Sequence, residues 1–402
     1  MFRNLFYDGW KVSDWSDPAP VVDGQTHTLG SSYRNGFPMN LAMGSNGKLH
    51  LVLWKVSTFD WVYTTLEPAA ARFEQSFSIV QHLSENPGGI DLMPAIDLIS
   101  DDVPYIVYSY GSGSSYTLGF QQYNNVSSTW GSEVQLLTGF SDKITKTFLA
   151  FLTSDFKPHI FYVTDETPNK MYHTTKVSGI PPIEPDPPEL FLSDVGPVCA
   201  LRQGGDNVIF VYSDTARQNL YTRTYTDPNV TTIWSVPDSS YSIGEIAIAF
   251  DSKNNIHACF GTYKTAEPLN TAYGAIRYVT NAGGSWTERE SITGTSTSGP
   301  LAVFFPASAY ISQDTYGNDR VHLAYTVYKP PGNFFFWYAY WDEAGWQPMS
   351  ESLDTENTNS FWTFPLIKVD SAGTVHVVYS WAESELDRTS MYIRGTPGES
   401  QR

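Results

Sequence analysis

The chain has 402 residues, of which 41% are hydrophobic, 15% aromatic and 16% charged, and its formal net charge is −18. Such an acidic chain lacks the lysine and arginine surface that phosphate groups require, which excludes nucleic acid and anionic membranes as expected partners. No run of about 18 apolar residues is present to span a membrane, and Met1–Trp10 lacks the pattern of a secretory signal.

A short apolar phrase recurs seven times along the chain. Its copies are His50-Leu-Val-Leu-Trp54, Tyr105-Ile-Val-Tyr108, His159-Ile-Phe-Tyr162, Ile209-Phe-Val-Tyr212, His257-Ala-Cys-Phe260, His322-Leu-Ala-Tyr325 and His376-Val-Val-Tyr379. Successive copies begin 48 to 65 positions apart. Repeats of about fifty residues rich in β-forming side chains are typical of a β-propeller, because each repeat must pack on its neighbours to bury its faces. A helical solenoid would show a 3.6-residue apolar period, which is absent.

Each repeat predicts four antiparallel strands. The innermost is small and apolar, the recurring phrase is the second, and the third is aromatic. Polar turns such as Ser252-Lys-Asn-Asn255 separate the first two. The fourth strand usually opens with tryptophan, as at Trp130, Trp234, Trp286 and Trp346.

The sequence therefore predicts an all-β fold, a single seven-bladed β-propeller of four-stranded antiparallel blades that occupies residues 1–402. The predicted blades span approximately 38–83, 92–138, 146–193, 197–238, 244–293, 300–353 and 362–394. The last repeat lacks a fourth strand, and residues 8–15 contain Asp8-Gly-Trp10, which is similar to the start of the other fourth strands. We expect this N-terminal strand to complete the last blade, since an unpaired edge is a liability.

Histidine begins five of the seven phrases. Equivalent positions on different blades point between neighbouring blades and cannot converge on one ion, so the pattern predicts structural hydrogen bonds. No metal site and no cofactor are predicted. The two cysteines, Cys199 and Cys259, lie in apolar strands and are interpreted as buried thiols, with a disulfide or a nucleophile as the alternatives.

The unit from Asn255 to Thr287 resembles the blades of sialidase-like and fucose-lectin-like propellers. The sialidase Asp-box, Ser-x-Asp-x-Gly-x-Thr-Trp, has a shortened counterpart without aspartate in Thr280-Asn-Ala-Gly-Gly-Ser-Trp286. The arginines, the Tyr/Glu pair and the aspartate of a sialidase have no matching positions in this chain. The resemblance therefore implies the fold and assigns no catalytic residue.

Ligands of propellers commonly bind one face, built from the loops between second and third strands and the loops that lead into the inner strands. These loops combine aromatic and charged residues here, which suits sugars: a pyranose offers an apolar face for stacking and hydroxyls that need donors and acceptors. The candidate ligand-binding residues are Asp60, Trp61, Tyr110, Tyr116, Arg217, Tyr263, Lys264, Tyr328, Trp362, Trp381, Glu383 and Arg388.

The composition and the loops favour a non-catalytic module that binds a glycan or another surface ligand, such as a surface protein or a virion or tail appendage. A glycoside hydrolase or polysaccharide lyase that uses the same face is the first alternative, since a hydrolase needs two facing carboxylates and the loops contain several. An assembly protein with partner chains is the second. We expect an extracellular or virion-surface location, with a cytoplasmic one left open.

Overall fold

A computed structural model describes the chain in residues 12–15, 19–20, 27–28, 39–55, 60–67, 77–81, 94–100, 103–112, 115–152, 157–175, 188–203, 207–265, 274–293, 295–296, 299–300, 303–313, 319–329, 333–342, 345–348, 365–382 and 387–397. For some strand residues among these, only the backbone is described. The secondary structure of these segments consists of β-strands and turns.

The strands form seven antiparallel sheets of four to six strands, which we number as blades 1 to 7 in chain order. Blade 1 contains Met39–Met43, Leu49–Lys55, Asp60–Leu66 and Phe77–Gln81. Blade 2 contains Ala95–Leu98, Pro104–Ser112 and Ser115–Asn124, with Thr129–Trp130 and Val134–Phe140 both paired to the third strand. Blade 3 contains Ile144–Leu152, Lys157–Thr164, Lys170–Thr175 and Glu189–Ser193. Blade 4 contains Val198–Gln203, Asn207–Ser213, Asn219–Thr224 and Thr231–Ser235.

The remaining blades follow the same order of strands. Blade 5 contains Tyr241–Phe250, Ile256–Lys264 and Gly274–Thr280, with Thr287–Glu288 and Ile292–Thr293 on the outer side. A two-stranded ribbon, Thr295–Ser296 with Gly299–Pro300, precedes blade 6, which contains Val303–Gln313, Asp319–Lys329, Asn333–Asp342 and Gly345–Pro348. Blade 7 contains Leu366–Val369, Val375–Ala382 and Asp387–Pro397.

The blades form a closed ring. The innermost strand of each blade contacts the innermost strand of the next, and the inner strand of blade 7 contacts that of blade 1. The prediction of an all-β, seven-bladed propeller is therefore confirmed. The inner strands surround the central axis, and the hairpin turns between second and third strands lie on the same face as the starts of the inner strands.

The hydrophobic core is divided into seven clusters, one at each interface between neighbouring blades. The second strand of a blade contributes side chains to the clusters on both of its faces. In blade 4, Phe210 packs toward blade 3, while Val211 packs toward blade 5. Alternate residues of a strand point to opposite faces, so a strand buried on both faces is apolar throughout. This explains why the recurring phrase shows no alternation of apolar and polar residues.

The histidine column is built into these interfaces. In four blades the histidine Nδ1 lies 2.6 to 2.8 Å from the hydroxyl of a third-strand tyrosine, and the pairs are His50–Tyr63, His257–Tyr278, His322–Tyr338 and His376–Tyr392. Blade 3 has His159 with His173 at 3.0 Å instead. The predicted structural role is thus observed, although the partner is a side chain of the third strand. His257 and His376 also approach a turn aspartate through Nε2.

We expect the Tyr278→Phe substitution to destabilise the protein by about 1–3 kcal/mol, because it removes the hydrogen-bonding partner of a buried imidazole nitrogen. The measurement is the free energy of unfolding from urea denaturation. Tyr263→Phe is the matched control, since Tyr263 is partly exposed and its hydroxyl contacts a surface arginine. Equal losses for the two variants would contradict the role given to the His–Tyr pair.

Three segments near the N-terminus pair antiparallel with the last strand, Asp387–Pro397. They are Val12–Trp15, Ala19–Pro20 and His27–Thr28. In the first, Val12 lies opposite Pro397 and Trp15 opposite Gly395. The sheet order places Val12–Trp15 on the outer side of Asp387–Pro397.

Both cysteines are free thiols, Cys199 in blade 4 and Cys259 in blade 5. Burial raises the pKa of each thiol, which disfavours the thiolate that a nucleophile requires. The interpretation as unpaired structural thiols is consistent with this placement. Within the described residues no helix is long and apolar enough to cross a membrane.

Candidate ligand-binding site

A tight turn in blade 4 presents one of the predicted residues. Asp214, at the end of the second strand, is only 8% exposed and accepts hydrogen bonds from the Gln218 backbone N–H at 2.7 Å and the Asn219 side-chain amide at 2.9 Å. The backbone N–H of Arg217 donates to the backbone carbonyl of Asp214 at 3.0 Å, which closes the turn. A buried carboxylate thus fixes the backbone that carries Arg217.

Arg217 has a left-handed backbone conformation with a φ of 58°. Glycine or asparagine is the usual residue in that region, and a long side chain there is uncommon. The turn is held against blade 5 by two hydrogen bonds, from the Ile243 N–H to the Arg217 carbonyl at 2.8 Å and from the Gln218 side chain to the Tyr241 carbonyl at 3.0 Å. Arg217 is therefore kept at a strained position that contacts the neighbouring blade.

The guanidinium of Arg217 reaches across to blade 5. Its Nη1 donates to the Tyr263 hydroxyl at 2.8 Å, and both side chains are partly exposed. Lys264 follows Tyr263, and its Nζ lies 5.9 Å from the centre of the Tyr241 ring. Because neighbouring residues of a strand point to opposite sides, the Arg217–Tyr263 pair and the Lys264–Tyr241 pair flank the two sides of the blade 5 tip. The structure therefore brings three predicted residues, Arg217, Tyr263 and Lys264, to one tip.

Three other predicted residues are buried, and two of them, Trp61 and Tyr110, pack in the interface between blades 1 and 2. Trp61 is 1% exposed and its ring lies 6.0 Å from that of Tyr108. Tyr110 is 6% exposed and donates to Glu133 at 2.7 Å, and Tyr116 is 7% exposed. Burial, then the hydrogen bond to Glu133, raises the pKa of Tyr110. These rings have almost no surface on which a sugar could stack in this conformation.

The other predicted residues are described less fully. Asp60, Tyr328, Trp381 and Arg388 lie at or near the ends of strands, and only their backbones are described. Trp362 and Glu383 lie outside the described residues.

Charged side chains around the central axis form a second set of polar groups. The seven inner strands contain five charged residues, Asp97, Lys146, Arg202, Glu245 and Lys368. The sequence analysis took the inner strands as small and apolar and did not predict these charged groups. The signal was present, because Lys368 and Asp97 each interrupt a short apolar strand, Leu366–Val369 and Ala95–Leu98.

One network joins blades 3, 4 and 5. The Lys146 Nζ of blade 3 donates to the Val198 carbonyl of blade 4 at 2.6 Å and lies 3.7 Å from the Glu245 carboxylate of blade 5. The same ammonium lies 5.6 Å from the centre of the Phe148 ring. This lysine therefore extends past the neighbouring inner strand toward the next blade.

The other network joins blades 7, 2 and 4. Arg202 of blade 4 lies 3.6 Å from the Asp97 carboxylate of blade 2, so the pair bypasses blade 3. Burial lowers the pKa of Lys368 of blade 7, and the charge of Asp97 opposes that shift. Asp97 therefore interacts with two cations that belong to different blades. Among the described residues, no three His, Cys, Asp or Glu side chains are close enough together to hold a metal ion.

Comparisons with known proteins give a fold and no family. No family model matches the sequence, and no curated protein matches it. The α-L-arabinanase of Penicillium chrysogenum, solved with arabinobiose, is similar with a TM-score of 0.50 and 11% identity, covering 94% of this chain and 99% of that one.

Two further solved structures have lower scores. The α-L-arabinofuranosidase of Fusarium graminearum has a TM-score of 0.49 and 10% identity, covering 94% of this chain and 98% of that one. The NanB sialidase of Streptococcus pneumoniae has a TM-score of 0.47 and 12% identity, covering 92% of this chain and 70% of that one. At these identities the similarity shows the propeller fold alone. The resemblance of the sequence to sialidase-like propellers likewise implied only the fold.

Proposed function

We propose that this protein is a non-catalytic binding module that recognises a glycan through the loop face of the propeller, at the tip formed by blades 4 and 5. The observation that carries the proposal is the Arg217–Tyr263 contact, in which a strained turn of one blade holds a cation against an aromatic hydroxyl of the next. The solved arabinanase with arabinobiose is a propeller of similar fold, which is compatible with a carbohydrate ligand.

The chemistry of the tip fits sugar hydroxyls. The Tyr263 hydroxyl accepts from Arg217 and retains its own proton to donate, and the guanidinium has five N–H donors, of which this contact uses one. The partly exposed ring of Tyr263 supplies apolar surface next to these groups. Backbone strain at a ligand-binding residue is a common sign of selection for function over stability.

We expect Arg217→Gly to abolish or weaken glycan binding at least tenfold, since a charge-assisted hydrogen bond contributes about 1.5–3 kcal/mol. The same variant should keep or raise the melting temperature, because glycine adopts the left-handed conformation without strain. The measurement is saturable binding on an array of neutral and acidic oligosaccharides, together with thermal unfolding. Tyr263→Phe should weaken binding less than Arg217→Gly.

The matched control is Arg289→Ala, which removes the same charge from an exposed site on the outer part of blade 5. It should bind like the unmodified protein. Incubation with the bound oligosaccharides should release no new reducing ends and no unsaturated uronate. Product release would favour the enzyme interpretation, and the absence of any saturable glycan signal would refute the binding module.

The same proposal places the protein on an exterior surface, extracellular or on a virion, where glycans are encountered. The acidic composition, with a net charge of −18, suits a soluble surface domain.

We also infer that the N-terminal segment closes the ring by serving as the outer strand of blade 7. The pairing of Val12–Trp15 with Gly395–Pro397 supports this closure. A propeller closed by both ends of its chain has no unpaired edge at the seam.

A further inference from the structure

The turn that carries Arg217 is also held in place from blade 3. Asp194 follows the outer strand of that blade, and its carboxylate accepts hydrogen bonds from the Thr215 backbone N–H at 3.1 Å and from the Thr215 hydroxyl. Gly196 packs so closely on the same turn that a Cβ at this position would come within 2.4 Å of the Asp214 carbonyl oxygen. Together with the hydrogen bonds from blade 5, these contacts fix the Arg217 backbone between two neighbouring blades. Such preorganisation favours affinity, because little freedom is lost when a ligand binds.

The guanidinium of Arg217 has a neutral partner, although the chain as a whole is strongly acidic, with a net charge of −18. It donates to the Tyr263 hydroxyl at 2.8 Å, and within the described ranges no aspartate or glutamate forms an ion pair with it. The carboxylate of Asp214, in the same turn, is engaged by Gln218 and Asn219 instead. The partly exposed Arg217–Tyr263 pair therefore retains guanidinium N–H groups and the tyrosine proton as donors for a ligand.

The tip of blade 3 combines the same two kinds of donor with a carboxylate of the chain itself. Glu166 lies in the turn between the second and third strands, forms an ion pair with Lys170 and accepts a hydrogen bond from the Tyr172 hydroxyl at 2.7 Å. The hydrogen bond from Lys170 lowers the pKa of Glu166, which keeps the bridging group ionised. A cation and a tyrosine hydroxyl on this face of the propeller are thus bridged by one carboxylate in blade 3.

We propose that the Arg217–Tyr263 site binds the carboxylate of an acidic sugar, which takes the place that Glu166 has in blade 3. A planar guanidinium pairs with a carboxylate through two parallel N–H···O bonds, and the Tyr263 hydroxyl donates its proton to the same group. The inference rests on the proposed function and specifies its ligand class. A neutral sugar still stacks on the tyrosine ring but lacks the ion pair, so the charge provides the specificity.

The test measures binding to the full-length protein by isothermal titration calorimetry, with two pairs of oligosaccharides that differ in the charge of the carboxyl group. The pairs are tetragalacturonic acid with its carboxyl-reduced form, and 3′-sialyllactose with its carboxamide. At least one acidic member should bind about tenfold more tightly than its neutral counterpart, since hydrogen bonds to charged groups contribute about 1.5–3 kcal/mol. Sodium chloride should reduce this preference by screening. The pair that shows the preference identifies the source of the carboxylate as a uronic or a sialic acid.

Arg217→Gln isolates the contribution of the charge, because it keeps an amide donor and a side chain at the same backbone position. It should weaken binding of the acidic member about tenfold and change binding of the neutral member less than about twofold. Arg217→Lys should keep part of the preference, since it retains the charge and loses the planar fork. Arg289→Gln is the matched control at an exposed site of blade 5 and should change neither affinity.

Equal affinities for the acidic and neutral members of both pairs would overturn this inference and leave the binding module intact. Equal weakening of both members by Arg217→Gln would also overturn it, since the guanidinium would then support the tip without selecting the carboxylate. The comparison within each pair uses the unmodified protein, so it decides the question even if a variant fails to fold. If no oligosaccharide of the pairs or of the array binds saturably, the proposed function fails and this inference fails with it.

Discussion

Deletion of residues 1–20 is expected to lower the melting temperature by at least about 5 °C and to increase self-association. The deletion removes Val12–Trp15 and Ala19–Pro20, both of which pair with Asp387–Pro397. Without them the part of that strand from Met391 to Pro397 presents an unpaired edge, while His27–Thr28 still pairs with its start, and edges of this kind template pairing with other chains. Because the unfolding entropy scales with chain length, a difference of 1 kcal/mol shifts the melting temperature of a 402-residue domain by only about 1 °C. The expected shift of about 5 °C therefore corresponds to a loss of about 5 kcal/mol, at about 1 kcal/mol for each of several ladder hydrogen bonds.

Calorimetry gives the melting temperature, and light scattering gives the association state. The matched control removes residues 398–402, which follow the last strand, and should change neither property. An unchanged melting temperature after deletion of residues 1–20 would contradict closure of the ring by the N-terminal segment.

The repeat predicted the fold because every blade has the same physical requirement, namely to bury both faces of its second strand against the neighbouring blades. A second strand such as Asn207–Ser213 is buried on both faces. The apolar phrase is therefore present in all seven blades, although the loops differ from blade to blade. The histidine column was readable for the same reason. The third-strand residue beside the histidine position also differs in the blades that depart from the His–Tyr pair. Blade 2 has Tyr105 beside Phe120, and blade 3 has His159 beside His173.

Loop boundaries were harder to predict, and this affected the candidate site. The strands of blade 2 extend through Pro104–Ser112 and Ser115–Asn124, so Tyr110 and Tyr116 belong to the core although their glycine- and serine-rich surroundings suggest a long loop. In Ser57–Trp61 the described strand begins at Asp60, which directs Trp61 inward. Aromatic residues suit both a sugar site and a buried interface, so residue type alone does not distinguish the two.

The contacts between blades were not available from local sequence. Arg217 and Tyr263 are 46 positions apart and meet because a turn of blade 4 docks on the start of blade 5. Arg202 and Asp97 meet across the central axis from blades that are not neighbours. Such proximities depend on ring geometry, which a repeat predicts in outline without giving side-chain distances.

Acidification is expected to destabilise the protein progressively between about pH 6.5 and pH 3 because two histidines of the column, His322 and His257, are buried and have a lowered pKa. Burial, together with nearby Arg320, lowers the pKa of His322 to about 3, and burial also lowers the pKa of His257. An unfolded histidine has a pKa of about 6.5, so in this interval the unfolded state binds more protons than the folded state. The stabilisation is therefore fully present above pH 6.5 and is lost as the pH falls. For His322 the loss amounts to about 3 kcal/mol at pH 4.

Blade 2 provides the design that isolates this effect. The double substitution His322→Tyr with Tyr338→Phe copies the Tyr105–Phe120 pair, which has no imidazole at the same repeat position. Urea denaturation at pH 7 and pH 4 should show a smaller loss of unfolding free energy on acidification for the double variant, by about 3 kcal/mol. The control is Tyr263→Phe, which changes a partly exposed tyrosine elsewhere in the fold. This variant should show the same pH dependence of the unfolding free energy as the original chain. Parallel pH profiles for the double variant and the original chain would show that His322 does not titrate as a buried neutral imidazole, and the acid sensitivity would then belong to other groups.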